Sequence, residues 1–185
     1  IGSQQEKLRK IGPTLNEEHD LGTVIDVCSL SGANDFRVVR ITDASDVAAT
    51  AAILDTAATP ATLVTLTAMY TGTQGNQIRC FVETGSKAST CKVTLEMLGV
   101  GGTKEVYDNL PVAAADFKTA IAAAIANGQG GLRGPSELIA SVANGAGTAN
   151  IKILAITDSP YSFTGGTNGG AVTDANLVGD ASTVT

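Results

Sequence analysis

Large aromatic side chains are scarce in this sequence, which has no tryptophan, four phenylalanines and three tyrosines among 185 residues. A core must therefore be built from smaller residues, and a hydrophobic content of 43% is sufficient for one. Binding pockets for small ligands are commonly lined with aromatic residues. Tyr70, Tyr107 and Tyr161 are the only tyrosines that such a site could use.

Histidine is also scarce, because His19 is the only one. It lies among Glu17, Glu18 and Asp20, a setting typical of a solvated helix start. Zinc sites need several histidine or cysteine ligands, and neither a second histidine nor a Cys-x-x-Cys pair is present. A Gly-x-Ser-x-Gly nucleophile elbow is missing as well. We therefore expect no catalytic, cofactor-binding or metal-binding residues, no cofactor and no enzyme activity.

Three cysteines, an odd number, argue against a disulfide framework and favour a reducing compartment. Cys80 and Cys91 fall in neighbouring predicted strands, where they could touch. Small buried hydrophobic residues are the favoured interpretation of both, and also of Cys28.

The charge balance excludes other classes of partner. A net charge of -6 with scattered Lys and Arg lacks the basic stripe that nucleic-acid binding requires. No apolar run reaches the roughly 18 residues of a membrane span, and no signal segment follows Ile1. We expect a chain made in the cytoplasm that neither contacts nucleic acid nor inserts into a membrane.

Glycine-rich segments at 99–102, 128–134 and 165–170 could cradle phosphates if each opened a helix after a strand. None has the Lys-Ser/Thr ending of a phosphate loop. Turns and flexible links are the favoured interpretation.

The first part of the chain has mixed signals. An amphipathic helix is predicted from Asn16 to about Gly32, since apolar residues recur at i, i+3, i+4 and i+7. These positions are Leu21, Val24, Ile25 and Cys28. Phe36–Ile41 is predicted to be a strand, although Arg37 and Arg40 interrupt its alternation. Residues 42–60 remain open between a short helix and an extended crossing.

Alternating residues then predict an antiparallel meander. Its strands are Leu63–Met69, Ile78–Glu83, Cys91–Leu98 and Glu105–Tyr107, and Gly99–Thr103 forms a hairpin link between the last two. The first two strands flank Thr71–Asn76, where Gly72 and Gly75 tolerate positive φ. We expect these two strands to pair with each other across that tight turn.

A second helix is predicted after Pro111, because Phe117, Ile121 and Ile125 are spaced by four and Asn127-Gly128 provides a stop. A short helix over Ser136–Val142 and a strand over Asn150–Ile156 are expected to follow. Beyond Thr157 the sequence is typical of a loop or linker. The fold class is therefore α+β: mainly antiparallel β-sheet, sandwich or barrel-like, with one long helix and one or two short ones.

Several stretches occur in an order that resembles the tail sheath proteins of contractile bacteriophages. They are Phe36–Ile41, Leu63–Glu83, the Glu-x-Tyr-Asp-Asn-Leu stretch from Glu105, and the Gly-Gly-rich loop Phe163–Asn176. Together they cover most of residues 36–179. In that family the last loop leads back into the core domain of the subunit.

The resemblance implies a structural subunit that stacks in rings around a tail tube, with contraction driving the tube through the host envelope. It implies the edge of a core domain over residues 1–60, a β-rich accessory domain over 61–160 and a linker over 161–185. Other sheath subunits and the tube protein would be the partners, in the virion tail. We expect a fragment that is monomeric when isolated, because the family's polymerising strands would lie outside it.

A carbohydrate- or receptor-binding β-domain of a phage or bacterial surface protein is the alternative. Such domains also use small residues, Thr, Asn and Gly-rich turns, whereas the scarcity of aromatic residues weighs against sugar binding.

Overall fold

Two antiparallel sheets and two helices make up the fold in a computed structural model that describes residues 7, 21–38, 41–99, 102–131, 133–174 and 176. The helices are α1 (Leu21–Leu30) and α2 (Ala114–Asn127). The strands are β1 (Ala48–Leu54), β2 (Thr62–Thr71), β3 (Ile78–Thr84), β4 (Thr90–Met97), β5 (Lys104–Pro111), β6 (Ile139–Asn144) and β7 (Tyr161–Ser162). The predicted α+β class is confirmed, and no barrel closes among these strands.

A three-stranded sheet has the order β1-β2-β6. Residues 42–60 were predicted to form either a short helix or an extended crossing. Strand β1 lies in this range, so the extended prediction is correct. Ala49, Ala51 and Ile53 are buried while Thr50 and Ala52 are exposed, as expected for a strand with one buried face. Alanine at both inner and outer positions hides this alternation in the sequence.

A four-stranded sheet has the order β5-β4-β3-β7. Strands β3, β4 and β5 form an antiparallel meander, as predicted for this part of the chain. Their bounds agree with the predicted strands to within a residue, except that β5 extends to Pro111. Cys80 lies opposite Leu95, whereas Cys91 lies opposite Thr84, so the two buried cysteines are not cross-strand neighbours.

The core lies between the inner faces of the sheets and under α2. Phe117, Ile121 and Ile125 of α2 are buried, as their spacing predicts, and the helix packs on β5 and β6. Gly128, with φ of 80°, ends α2. Helix α1 is also confirmed from residue 21 onward, with Ile25 buried; its predicted start at Asn16 lies outside the described residues.

The predicted pairing of strand Leu63–Met69 with strand Ile78–Glu83 is wrong. Strands β2 and β3 belong to different sheets, and a 3₁₀ turn at Thr73–Gln77 carries the chain from one sheet to the other. Gly72 does have positive φ, 116°, but Gly75 does not. The turn residues allow a sharp change of direction without specifying which strand becomes the neighbour.

The predicted strand Phe36–Ile41 is wrong over its described residues, 36–38 and 41, which have no regular structure. Phe36 and Val38 alternate with Arg37 as in a strand, but neither sheet includes these described residues, and a strand forms only where a neighbouring strand pairs with it.

The predicted helix over Ser136–Val142 is also wrong, because residues from Ile139 onward form β6 on the edge of β2. Ser136 accepts hydrogen bonds from the N–H groups of Leu138 and Ile139 at 3.2 and 2.9 Å, and the chain then continues as a strand. The open edge of β2 provides backbone partners that outweigh a weak local helix preference.

The predicted strand Asn150–Ile156 is reduced to one bridge between Ile151 and Asp55. The segment crosses the strand ends instead: Lys152 N donates to Leu54 O at 3.1 Å, and Leu154 N donates to Val82 O at 2.8 Å. It therefore ties the two sheets together without adding a strand to either.

The predicted division at residues 60 and 161 remains a prediction. Strand β1 pairs with β2 across the first boundary, and β7 pairs with β3 immediately after the second. Phe163, within the predicted linker, is 1% exposed. The loop interpretation from Thr157 is thus wrong for Tyr161–Ser162, which form β7.

Candidate functional site

We call the unit formed by the two sheets, from β1 to β7, the β-domain. The segments through which the chain enters and leaves it lie side by side. Val47 and Thr167 exchange two backbone hydrogen bonds of 3.1 Å, one in each direction. Thr50 and Thr164 do the same, at 2.9 and 3.0 Å. We call residues 43–50, 71–76 and 163–170 the neck, because the chain enters and leaves the two-sheet unit there.

The turn between the sheets is attached to the outgoing segment. Asn76 donates from Nδ2 to Gly166 O and accepts at Oδ1 from Gly166 N, both at 2.9 Å. Asn168 Oδ1 accepts from Thr73 N at 2.9 Å. A side chain at Gly166 would collide with the carbonyl oxygen of Gly72, so the two segments touch through backbone. Two of the stretches that carry the sheath resemblance therefore contact each other.

Asp43 extends these contacts to the end of the neck. Its carboxylate accepts from Gly170 N at 3.0 Å and from Ser45 N at 3.1 Å. The Ser45 hydroxyl also donates to it, and this hydrogen bond is the largest cause that lowers the pKa of Asp43. At pH values above its pKa, the Asp43 carboxylate is charged and helps to hold residues 43–45 beside residue 170.

The Glu-x-Tyr-Asp-Asn-Leu stretch organises a second polar network. Glu105 is fully buried and faces inward from β5. Its carboxylate pairs with Arg133 at 2.7 Å and accepts from the Ser136 hydroxyl at 2.6 Å and from Glu137 N at 2.8 Å. Tyr107 donates to it at 3.2 Å, and the Arg133 guanidinium lies 5.6 Å from the Tyr107 ring centroid. A buried carboxylate requires such partners, so this network ties β5 to the segment before β6.

The next two residues of the stretch face the other way. Asp108 accepts from Ser86 N at 3.0 Å and from the Ser86 hydroxyl, which is the largest cause that lowers the pKa of Asp108. Asn109, at φ of 59°, accepts from Lys87 N at 2.9 Å. The backbone of Asp108 pairs with the Gln129 carboxamide at 2.8 and 3.0 Å. The Gln129 side chain thus occupies the place that the backbone of a neighbouring strand would have at this sheet edge.

Asp55 directly follows β1 and lies at the end of the three-stranded sheet that is away from the neck. Its carboxylate accepts from the N–H groups of Ala57, Ala61, Thr148 and Ala149, at 2.9 to 3.3 Å. The bond from Ala61 is the largest cause that lowers the pKa of Asp55. Asp55 is 1% exposed, and its carboxylate joins the β1–β2 turn to Thr148 and Ala149.

No cluster of metal-ligating side chains occurs within the described ranges. Burial raises the pKa of Cys80 to about 12 and that of Cys91 to about 11, so neither thiol is an activated nucleophile. The buried-hydrophobe interpretation is confirmed for these two, while Cys28 is half-buried. His19 lies outside the described residues. In the part of the chain that the structure describes, no helix is long and apolar enough to cross a membrane.

Tyr70 is the exposed member of the three tyrosines, with 47% of its surface accessible. It borders a shallow groove that also includes Gln74, Met97 and Glu137. Tyr107 is fully buried and Tyr161 is half-buried, so neither can provide a stacking platform.

Comparison with known proteins gives one structural likeness. No protein-family model matches the chain, and no curated protein matches it either. The crystal structure of a sheath tail protein from Listeria innocua matches 96% of this chain with a TM-score of 0.54 and 20% sequence identity. The chain spans about a third of that protein's length, since 32% of it is covered. The likeness shows that this chain has the fold of part of a sheath tail protein.

Proposed function

We propose that the chain is part of the structural subunit of a contractile tail sheath, and that its two-sheet unit is an accessory domain carried by the subunit core. The observation that carries this proposal is the fold likeness to a sheath tail protein over almost the whole chain. The order of the sheath-like stretches in the sequence supports it independently.

The neck supports the accessory-domain part of the proposal. A domain inserted into another must leave it and return to it at nearly the same place, so its two connecting segments must lie together. Residues 47 and 167 are hydrogen-bonded partners here. A core domain preceding residue 43 and following residue 170 would hold the β-domain at this one point.

As a sheath subunit, the protein would surround the tail tube and contact other sheath subunits in stacked rings. Contraction would use differences in packing between two arrangements of rigid subunits. The polar networks of Glu105 and Asp55 fit that role, because they make the accessory domain a rigid unit rather than a reaction site.

Immunoelectron microscopy of the particles that contain this protein tests the proposal. Antibodies raised against residues 43–170 should decorate contractile tails along their whole length, before and after contraction. Decoration confined to fibres or baseplate tips, or absent from tails altogether, would overturn the sheath assignment.

Receptor or carbohydrate binding is the second candidate, favoured by the exposed Tyr70 beside Gln74 and Glu137. A glycan array with the purified chain tests it, with Tyr70→Ala as the matched variant. Binding that is lost in Tyr70→Ala would support this candidate. Equal signals from both proteins would dismiss the groove as a sugar site.

A further inference from the structure

The outer face of the four-stranded sheet carries an apolar row between two charged rows. The apolar row is formed by Phe81 on β3 and Val106 on β5, and the buried Thr94 of β4 lies between them as their cross-strand neighbour. Their own strand neighbours Cys80, Val82, Val93 and Leu95 are buried in the core, so the row faces outward. Thr94 is only 4% exposed, whereas Val106 is 38% exposed. The row therefore presents two apolar side chains, Phe81 and Val106, on either side of a nearly covered threonine.

The first charged row lies two residues away on each strand. It consists of Arg79, Glu96 and Lys104, which are adjacent in the sheet register. Its charges read plus, minus, plus. Arg79 donates from Nη1 to the carbonyls of Asn76 and Ile78, which holds the guanidinium at this end of β3.

The second charged row lies on the opposite side of the apolar row. It consists of Glu83, Lys92 and Asp108, and its charges read minus, plus, minus. Lys92 pairs with Glu83 at 3.2 Å. Asp108 follows Tyr107, the partner of Val93, at the register shift that lies opposite Lys92.

From this pattern we infer that the outer face of the four-stranded sheet docks on the same face of a second copy of the chain. A two-fold axis along the apolar row turns each sheet over onto its partner and exchanges the two charged rows. Each strand then places opposite charges across the interface. The facing pairs are Arg79 with Glu83, Glu96 with Lys92, and Lys104 with Asp108.

The symmetry of the pattern is what selects this occupant. A two-fold interface must be complementary to itself, so a residue and its symmetry mate must both find suitable partners. All three strands meet this condition about the same axis, and the apolar row meets its own copy. Facing sheets pack about 10 Å apart, a gap that Arg, Lys and Glu side chains on both sides can span.

The surface is small, so the pairing is weak. Three strands and five residues cover about 14 Å by 17 Å at ordinary strand spacings, which is below the area of a stable dimer. We expect a monomer at micromolar concentration and a growing dimer fraction as the concentration approaches roughly 1 mM. Since the pairs are exposed, raising the salt concentration should weaken the association.

This inference does not depend on the sheath proposal. Subunits of one polar cylinder are related by rotation and translation along its axis, not by a two-fold axis across it. The pair would therefore form between chains outside a cylinder.

Sedimentation equilibrium of the 185-residue chain and two charge-reversal variants tests the pairing. Glu96→Lys places Lys opposite Lys92 of the partner, and Lys92→Glu places Glu opposite Glu96 of the partner. Each variant alone should associate at least tenfold more weakly than the parent, because like charges then face each other. An equimolar mixture of the two should recover the parent's association, since every facing pair is again opposite in sign.

Two controls keep the test decisive. Thr65→Lys, on the outer face of the other sheet, should associate like the parent. If Lys92→Glu is poorly folded because it loses its Glu83 pair, Lys104→Glu, which leaves that pair intact and faces Asp108 of the partner, should also associate more weakly than the parent. A parent that stays monomeric up to about 1 mM, or a mixture no stronger than its components, overturns the inference.

Discussion

Asn76 and Gly166 exchange two hydrogen bonds of 2.9 Å although they are 90 residues apart. The Asn76 carboxamide reproduces the donor and acceptor pattern of a strand residue, and so it joins the inter-sheet turn to the outgoing segment. The neck therefore depends on the Asn76 side chain.

Asn76→Ala should therefore lower the free energy of unfolding by about 1–3 kcal/mol, because it leaves the Gly166 N–H and C=O without their partner. Asn144→Ala is the matched control, since Asn144 is exposed on β6 and its substitution should change stability by less than about 0.5 kcal/mol. Urea unfolding of both variants measures the difference. Equal midpoints would show that the carboxamide contributes nothing to the neck.

Two glycines of the same turn are required for different reasons. Gly72 has φ of 116°, where a β-branched residue is strained. A Cβ at Gly75 would lie 2.9 Å from Ala49 Cβ and 3.1 Å from Ala68 Cβ. Gly72→Val and Gly75→Val should each cost about 1–3 kcal/mol, measured by chemical denaturation.

Gly134→Ala is the control for these glycine variants, because a Cβ there meets nothing within 4 Å. It should unfold close to the parent midpoint. Parent-like unfolding of both valine variants would rule out the positive φ and the close packing described at this turn.

Local patterns in the sequence predicted the elements whose buried face is regular. Ile78, Cys80 and Val82 alternate with outward residues, and Phe117, Ile121 and Ile125 repeat every fourth residue, so β3 and α2 could be located. Local sequence patterns do not indicate which strands pair with each other. The turn after Thr71 is compatible with a hairpin and with a crossing between sheets, and only long-range pairing with β1 and β6 decides between them.

The polar networks show the same limit. The motif containing Glu105 could be noticed in the sequence, but its partner Arg133 follows 28 positions later in a glycine-rich loop. A short periodic pattern carries no information on such a pair. The charged rows around Phe81 were equally hidden, because they follow from the register of three strands.

Removing the buried Glu105 carboxylate should be strongly destabilising. Glu105→Ala leaves Arg133 and the Ser136 hydroxyl without their acceptor, and we expect a loss of about 3 kcal/mol or more. Glu83→Ala is the matched control, since its pair with Lys92 is half exposed and should contribute less than about 1 kcal/mol. Thermal unfolding of the two variants should separate them clearly, and similar small losses would contradict the structural role of the network.

Thiol reactivity should distinguish the three cysteines. Cys80 and Cys91 are fully buried with raised pKa values, whereas Cys28 is half-buried on α1. At pH 8 we expect a single rapidly reacting thiol in the native protein and the other two only after unfolding. Cys28→Ser should remove the rapid phase. Rapid reaction of all three thiols in the native chain would be incompatible with the two-sheet core.

Acid should destabilise the fold through carboxylates whose pKa is lowered in the native state. The carboxyl group of Asp55, whose ordinary pKa is 3.8, accepts four backbone hydrogen bonds in its charged form. A lowered native pKa means that its contribution is complete above the unfolded pKa and is lost as the pH falls through the native one. Unfolding free energy should thus be steady above about pH 5 and fall below pH 4. Asp55→Asn should be less stable near pH 7 and should lose less stability on acidification, while Asp35→Asn, at an exposed position, should follow the parent curve. Parallel curves for Asp55→Asn and the parent would mean that the charge of Asp55 does not hold this end of the sheet.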